Sequence, residues 1–506
     1  MTGAYGSWGL LVGLGFLLVS LCGELAAAPR EGRLYAGWAS TSITPDKPVA
    51  LSGQFHTRIS KSVHDPVTAT ALAVEVKNGD DVVDQAIIVS CDLVAIRDGI
   101  QDEFRKRLAG RLNGVDLGKV FLNATHTHTG PVLVNVRRPP PGVSADAATV
   151  KYKIPKKSVT QVAEYVEFLV GRLADATVAA WNARKPAGVS WALSHAVVGH
   201  NRRAIYSDGN AVMYGKTNSP RFRNIEGSTD HGVELLFFWN DAGQPTGIAI
   251  NVACPSQVVE SKGYVSADYW HDVRVQLKDT YGKDLHVLAL CGAAGDQSPH
   301  FLYRKRAEAT LRKRAGRSEM QEAGIRIARA VECVFDVAKK DIRTTVPFAH
   351  EVETLALPGR QITADEAARS EARVEKVMKA GTEKLSESGR VKLNREQNVV
   401  AQYKRQKPST YDMELHVLRL GDVAIATNPF ELFLDFGLQM KARSKAEQTF
   451  IIQLACNSGA YLPTEKARQA GGYGAEPPSN RVGPEGGRAL VDRTVELINA
   501  MWARKK

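Results

Sequence analysis

The sequence predicts an α+β fold: one large single domain in which two mixed β-sheets pack together and helices lie outside. Three features predict it. Turn-punctuated β-rich runs fill residues 34–130 and 232–290 and return from Met413. Amphipathic helical stretches lie between those runs, which places helices around sheets and not in a bundle. The succession from Ala86 to Ala124 reads strand, helix, strand, so part of the sheet is parallel. No repeat of solenoid length is visible. A chain of 506 residues has room for about three domains of ~150 residues. Its 44% hydrophobic content equally supplies one large core.

Taken in order, residues 1–28 read as a signal peptide. Leu10 to Leu21 is apolar or small but shorter than a membrane span of about 20 residues, and Ala26-Ala27-Ala28 offers small residues for cleavage. Leu21 stands before Cys22 where a lipid-anchored chain needs a small residue, so the expectation is cleavage and a secreted or periplasmic protein of residues 29–506. Ala71–Val76 and Ala86–Cys91 are β-rich and flank the turn Gly79-Asp80-Asp81. Phe104, Leu108 and Leu112 keep helical spacing over about 100–112. Residues 132–160, rich in Pro and Lys, read as a loop or flap, and 161–182 as an amphipathic helix. Val233–Phe238 and Gly247–Cys254 form a hairpin about Asp241-Ala242-Gly243, and Leu285–Leu290 is a buried strand. Helix signals fill 304–340. Residues 362–405, rich in Ala, Glu, Lys and Arg, read as a surface helical insertion broken near Ser386–Gly389. Strands return at Leu415–Leu420, Val423–Ala426 and Phe450–Leu454, and a short helix spans Gly487–Trp502.

The net charge of +12 raises nucleic acid as a partner, but the basic clusters Arg304-Lys305-Arg306 and Arg312-Lys313-Arg314 stand beside acidic residues on helical stretches, and no nucleic-acid motif accompanies them. A solvated basic face suited to peripheral contact with an anionic membrane is the better reading. Beyond residue 28 five widely spaced cysteines remain, Cys91, Cys254, Cys291, Cys333 and Cys456, too few for a disulfide scaffold.

The chemistry concentrates at strand ends. Thr125-His126-Thr127-His128-Thr129-Gly130-Pro131 follows an apolar run, and in an extended segment the i and i+2 rings share a face. Imidazoles so placed suit metal binding or proton transfer; the plain alternative is a pair of structural histidines. Four further segments end a buried strand in a polar turn: Ala253–Gln257, Gly295–His300, Asn428-Pro429-Phe430-Glu431 and Cys456–Tyr461.

In these motifs, and in their order from about residue 34 to 475, the chain resembles the neutral/alkaline non-lysosomal ceramidases. Thr125–Pro131 is similar to that family's THTHSGP motif, and Gly295-Asp296-Gln297-Ser298-Pro299 to its active-site serine segment. The resemblance implies a zinc-dependent hydrolase that cleaves the amide of an N-acyl lipid such as ceramide. It implies Zn2+ ligands at His126, Glu431 and Tyr461, proton transfer to the leaving amine by His128, binding of the substrate amide or oxyanion by Arg202 in the His200-Asn201-Arg202 segment, and Ser298 as nucleophile or orienting hydroxyl. The family's second zinc histidine is replaced by Cys254; either the Cys254 thiolate or nearby His271 is expected to take its place, with His231 and His300 as further candidates. The sequence ends soon after the tyrosine segment, without the family's C-terminal immunoglobulin-like domain, which points away from long-chain ceramide. A hydrolase of another ester or glycoconjugate, and a binding protein on a catalytically dead scaffold, stand as the alternatives.

Overall fold

The computed structural model describes residues 30–133, 154–383 and 385–503. The signal segment 1–28 and most of the Pro- and Lys-rich stretch 132–160 lie outside the described residues.

Three copies of one small unit carry the architecture. The first is the hairpin β2 (Thr68–Asn78) and β3 (Asp81–Cys91), helix α1 (Ile100–Leu108) and strand β4 (Val120–Ala124); it follows β1 (Glu31–Ser42) and precedes helix α2 (Val162–Asn182) and β5 (Gly188–His195). The second is β6 (Gly232–Trp239), β7 (Pro245–Val252), helix α3 (Tyr269–Tyr281) and β8 (His286–Cys291), followed by helix α4 (Glu319–Ala338) and β9 (Thr345–Pro358). Helices α5 (Ala364–Ala380) and α6 (Glu387–Arg405) come next. The third unit is β10 (Thr410–Leu420), β11 (Val423–Thr427), helix α7 (Leu434–Arg443) and β12 (Gln448–Ile452), and helix α8 (Pro484–Met501) closes the described chain. Within each unit the hairpin is antiparallel and the strand after the helix returns parallel: β3 with β4, β7 with β8, β11 with β12. A helical crossover is what a parallel neighbour requires.

The larger sheet runs β12-β11-β10-β9-β1-β2-β3-β4, and the smaller β8-β7-β6-β5. They pack face to face through Trp38, Phe121, Leu236, Phe238, Leu288 and Phe450. A Cβ on Gly247 would stand 2.4 Å from the Trp38 ring, so the sheets approach through a position that only glycine fits. The outer faces are covered by α1 and α2, by α3 and α4, and by α7 and α8. Sheets inside and helices outside agree with the expected α+β architecture.

Local differences have local causes. The helical signal at 304–340 divides in two at Gly316, which has φ +64°. Helix α1 stops at Leu108, short of Leu112, and Gly110 at φ +75° turns the chain away. Helices α5 and α6 start from the side-chain caps of Thr363 and Ser386, and bury a small cluster of Ile362, Ala367 and Val399. All five cysteines are free, four buried and Cys333 exposed.

A buried polar chain draws the two arms of the larger sheet together. Arg105 of α1 donates to both oxygens of Glu414 on β10, at 2.7 and 2.8 Å. Glu414 Oε1, which also takes Arg105 Nη2, meets His416 Nε2 at 2.6 Å, His416 Nδ1 lies 2.9 Å from His350 Nε2, and His350 Nδ1 donates to the Gln85 carbonyl of β3 at 3.1 Å. Burial pushes the Glu414 carboxyl up, but hydrogen bonds from His416 and Arg105 outweigh it and hold the group well below the usual carboxylate range. Its folded pKa therefore lies below its unfolded value, so its stabilisation is full above about pH 4.5 and fades as pH falls further. Glu414→Gln is expected to cost about 2 kcal/mol at pH 7, with the gap to wild type narrowing at pH 3. Urea unfolding at the two pH values measures this; a gap of constant size would contradict it.

Candidate active site

The carboxyl ends of the three parallel pairs open at one edge of the two sheets, and six loops leave there. Buried polar side chains tie them at one level. Gln453 after β12 accepts from the backbone N–H of Ala294 and of Leu432, both at 3.1 Å, joining the loops after β8 and β11. Asn251 of β7 donates to the Ile451 carbonyl at 3.0 Å. Asp92 after β3 takes both Arg274 nitrogens of α3 at 2.7 and 3.0 Å. Eight described non-glycine residues have positive φ; five of them, His126, Tyr214, Leu454, Cys456 and Ala460, lie in segments that deliver side chains to this edge. Such strain, about 1–3 kcal/mol each, persists where function requires it.

His126 and His128 do meet, but not by strand alternation. The strand ends at Ala124, and His126 turns left-handed at φ +69°. The result brings His126 Nε2 to 3.3 Å from His128 Nε2. His126 Nδ1 lies 2.6 Å from the Val94 carbonyl, which can only accept, so Nδ1 carries a proton and Nε2 is the nitrogen turned to the site. Glu431 Oε2 is 3.3 Å from the same Nε2. Burial pushes the Glu431 carboxyl up; His126, Tyr461 and Arg202 outweigh it, so the group is held low and ionised.

Tyr461 is brought to Glu431 by parallel pairing of Glu431–Leu432 with Tyr461–Leu462. Its hydroxyl donates to Glu431 and accepts from Arg202 Nη2 at 3.1 Å. Burial and the Glu431 charge push the phenol well up, so it stands as a neutral donor. Arg202, wholly enclosed, also donates to the Gly295 carbonyl at 2.8 Å. Burial opposes its charge, but Tyr461, Tyr214 and Glu431 more than offset that, and the guanidinium stays charged. Ser298 Oγ lies 3.0 Å from the Tyr214 hydroxyl and accepts from the His300 N–H at 3.1 Å. Asp296 is a strut, accepting from Asn201 Nδ2 and from the Leu434 N–H at 2.8 and 2.9 Å.

His128 faces Gln257, whose amide nitrogen is 2.7 Å from His128 Nε2, and Glu260, whose Oε2 is 3.6 Å from Nδ1. Burial and the neighbouring His126, Arg202 and Arg58 hold the His128 imidazole well below its ordinary value. Gly53, at φ +91°, lies flat against the ring, where a Cβ would stand 2.3 Å from it.

Two expected ligands are elsewhere. Cys254 is fully buried, its Sγ 3.6 Å from the Pro255 carbonyl, and burial pushes the thiol well up. The strand stops at Val252 and the chain turns at Cys254-Pro255, so Gln257, three residues on, is what reaches the histidines. His271 sits in the first turn of α3 beside Asp65 and Asp272. Neither joins His126 and Glu431 in a set of three donors within 4.8 Å; among the described residues such a set forms only at Glu414, His416 and Cys456. There both Glu414 oxygens are already taken by Arg105. His300 stands 3.5 Å from Glu260, while the His231 ring lies 6.3 Å from that of His200, the strand partner of Ser298. Gln257, Glu260 and Tyr214 were not singled out by sequence. Tyr473, which packs edge-on to Tyr461 at 5.4 Å, was announced only by its setting, Gly471-Gly472-Tyr473-Gly474.

No protein-family model matches the sequence, and no curated protein matches it. Among solved structures, the neutral ceramidase from Pseudomonas aeruginosa superposes with a TM-score of 0.63 at 15% identity, covering 93% of this chain and 74% of that one. A structure described as ceramidase complexed with C2 gives 0.62 at 14%, covering 93% and 75%. At such identities the likeness is one of architecture, and the architecture of this chain is that of neutral ceramidase.

Proposed function

We propose that the protein is a zinc-dependent hydrolase of the neutral ceramidase type, exported from the cell, that cleaves the amide of an N-acyl lipid such as ceramide to a fatty acid and an amine. The observation that carries the reading is the spacing about His126 Nε2. Zinc ligands at about 2.0–2.1 Å in tetrahedral geometry stand about 3.3 Å apart. His126 Nε2 is separated by 3.3 Å from Glu431 Oε2 and, on another side, by 3.3 Å from His128 Nε2. The donors fit the metal: an imidazole whose other nitrogen is fixed by Val94, a carboxylate held ionised, and the Tyr461 hydroxyl bonded to it. Three protein ligands leave the open position of a catalytic site. No helix among the described residues is long and apolar enough to cross a membrane.

When bound, zinc polarises the carbonyl and makes water nucleophilic at neutral pH. The remaining work belongs to the protein. Arg202 presents a fixed positive charge that stabilises the oxyanion developing on the amide oxygen. His128, neutral and enclosed, is placed to take a proton from the attacking water and pass it to the departing amine. Ser298 reads as an orienting hydroxyl: its bonded neighbours are Tyr214 and the His300 N–H, and neither is a base able to activate it for attack.

Metal analysis of protein purified without chelator is expected to find about one zinc per chain. His126→Ala and Glu431→Gln should lose the metal, whereas Cys254→Ala and His271→Ala should retain it. Wild-type protein without zinc would end the proposal, and loss of metal in Cys254→Ala would end this ligand set. Arg202→Met is expected to keep zinc and to lower kcat on N-hexanoylsphingosine by roughly 100- to 1000-fold. Unchanged turnover would remove Arg202 from the mechanism.

A further inference from the structure

Helices α5 and α6 take no part in the chemistry above, yet they grip the loops that form the site. Arg373 of α5 pairs with Glu476 at 2.9 Å. Arg395 of α6 donates through Nη2 to the Pro478 carbonyl at 2.7 Å and to Ser479 Oγ at 2.8 Å. The next residue, Asn480, bridges to Ala460 and donates to the carbonyls of Tyr461 and Gly474 at 3.1 and 2.9 Å. Arg395 is thus anchored on the segment that holds Tyr461 and Tyr473 in place.

From Arg395 a continuous line of rings leads inward. Its guanidinium lies 5.4 Å from the Phe55 ring centre; Phe55 meets Tyr473 edge-on at 5.7 Å; Tyr473 meets Tyr461 edge-on at 5.4 Å. Arg395, Phe55 and Tyr473 are half-buried and Tyr461 is buried, so the line runs from solvent to the site. A second arginine stands across the same segment. Arg97, in the loop whose Val94 carbonyl holds His126, donates to Ser458 Oγ at 3.1 Å. Its neighbour Asp98 is paired with Arg481 at 3.2 Å, two residues from Ser479. Among the described residues no carboxylate pairs with either Arg97 or Arg395. Each is instead fixed by neutral oxygen acceptors, and Arg395 by an aromatic face as well. A guanidinium held by neutral acceptors alone keeps further donors for anionic oxygens, which its planar fork matches. The site's own carboxylate at Glu260 stands with His128 and His300, at 3.6 and 3.5 Å, and pairs with neither arginine.

We propose that Arg97 and Arg395 form an anion subsite at the mouth of the site, and that the substrate is an N-acyl compound bearing a carboxylate, phosphate or sulfate. The substrate class rests on the amide-hydrolase reading; the subsite itself does not need turnover to be tested. Three compounds separate the cases: N-hexanoylsphingosine as the neutral parent, its 1-phosphate with the anion on the amine half, and N-adipoylsphingosine with a carboxylate on the acyl half. Dissociation constants by calorimetry on the zinc-loaded full chain are the primary measurement, with kcat/KM alongside. One of the two anionic compounds is expected to bind at least tenfold tighter than the parent, and the one that does so identifies which half carries the charge. Arg395→Gln and Arg97→Gln should each reduce that ratio about tenfold, and Arg395→Lys should restore part of it. Equal binding of all three, no binding of any, or a ratio unmoved in both glutamine variants overturns the subsite. Tight anionic binding without hydrolysis sinks the amide-hydrolase reading and leaves the subsite standing.

Discussion

A parallel strand pair joined through a helix sends both of its carboxyl ends to the same edge, and this chain uses that constraint three times. Because β4, β8 and β12 each return beside the second strand of their own hairpin, the loops after β3, β4, β7, β8, β11 and β12 have one exit. That geometry gathers His126, Ser298, Glu431 and Tyr461 from segments hundreds of residues apart. The sheets supply the frame, and the polar ties of Asp92, Asn251 and Gln453 fix the loops relative to one another. Each tie satisfies backbone or charged groups that would otherwise be buried unpaired, so loosening one costs stability as well as alignment.

The same edge concentrates unfavourable terms. Left-handed backbone at His126, Leu454, Cys456 and Ala460, an enclosed guanidinium at Arg202 and two imidazoles in contact would each be selected against in an ordinary core. They offset one another in pairs: Arg202 against Glu431 and the Tyr461 hydroxyl, Asp92 against Arg274. A cation between His126, Glu431 and Tyr461 would complete this balance, since His126 Nε2 otherwise faces a second ring nitrogen with its own proton committed to Val94.

The sequence conveyed the framework well because strand alternation, helical period and turn residues are local signals. The hairpin of β6 and β7, the parallel relation of β3 and β4 and the helical pair at 364–405 all follow from them. The His126, Ser298, Glu431 and Tyr461 segments were legible because each combines a buried strand with a polar turn. What failed was position within a turn. Cys254 occupies the place where the resemblance puts a histidine, yet the chain reverses at Pro255 and buries the thiol. Its side-chain direction depends on where β7 stops, which residue types do not reveal. His271 failed for a related reason: proximity in sequence to the site says nothing about which end of α3 faces it. Gln257 lies in the Ala253–Gln257 turn without a role of its own there, Glu260 carries no motif, and the approach of both to His128 exists only once β4 and β7 are set in separate sheets.

The Gln257 amide beside His128 bears on more than a ligand count. An imidazole at that place would donate electron density to a metal and lower its charge; Gln257 offers a neutral dipole to His128 instead. A metal held by His126, Glu431 and Tyr461 alone keeps more of its positive charge and more open coordination than one held by four protein donors. Stronger polarisation of a bound carbonyl follows, and so does weaker retention of the ion. The fixed charge of Arg202 opposes a nearby cation and adds to that second effect. In the zinc site proposed above, affinity for the metal would be the quantity this arrangement gives up, and stabilisation of a developing oxyanion the quantity it gains.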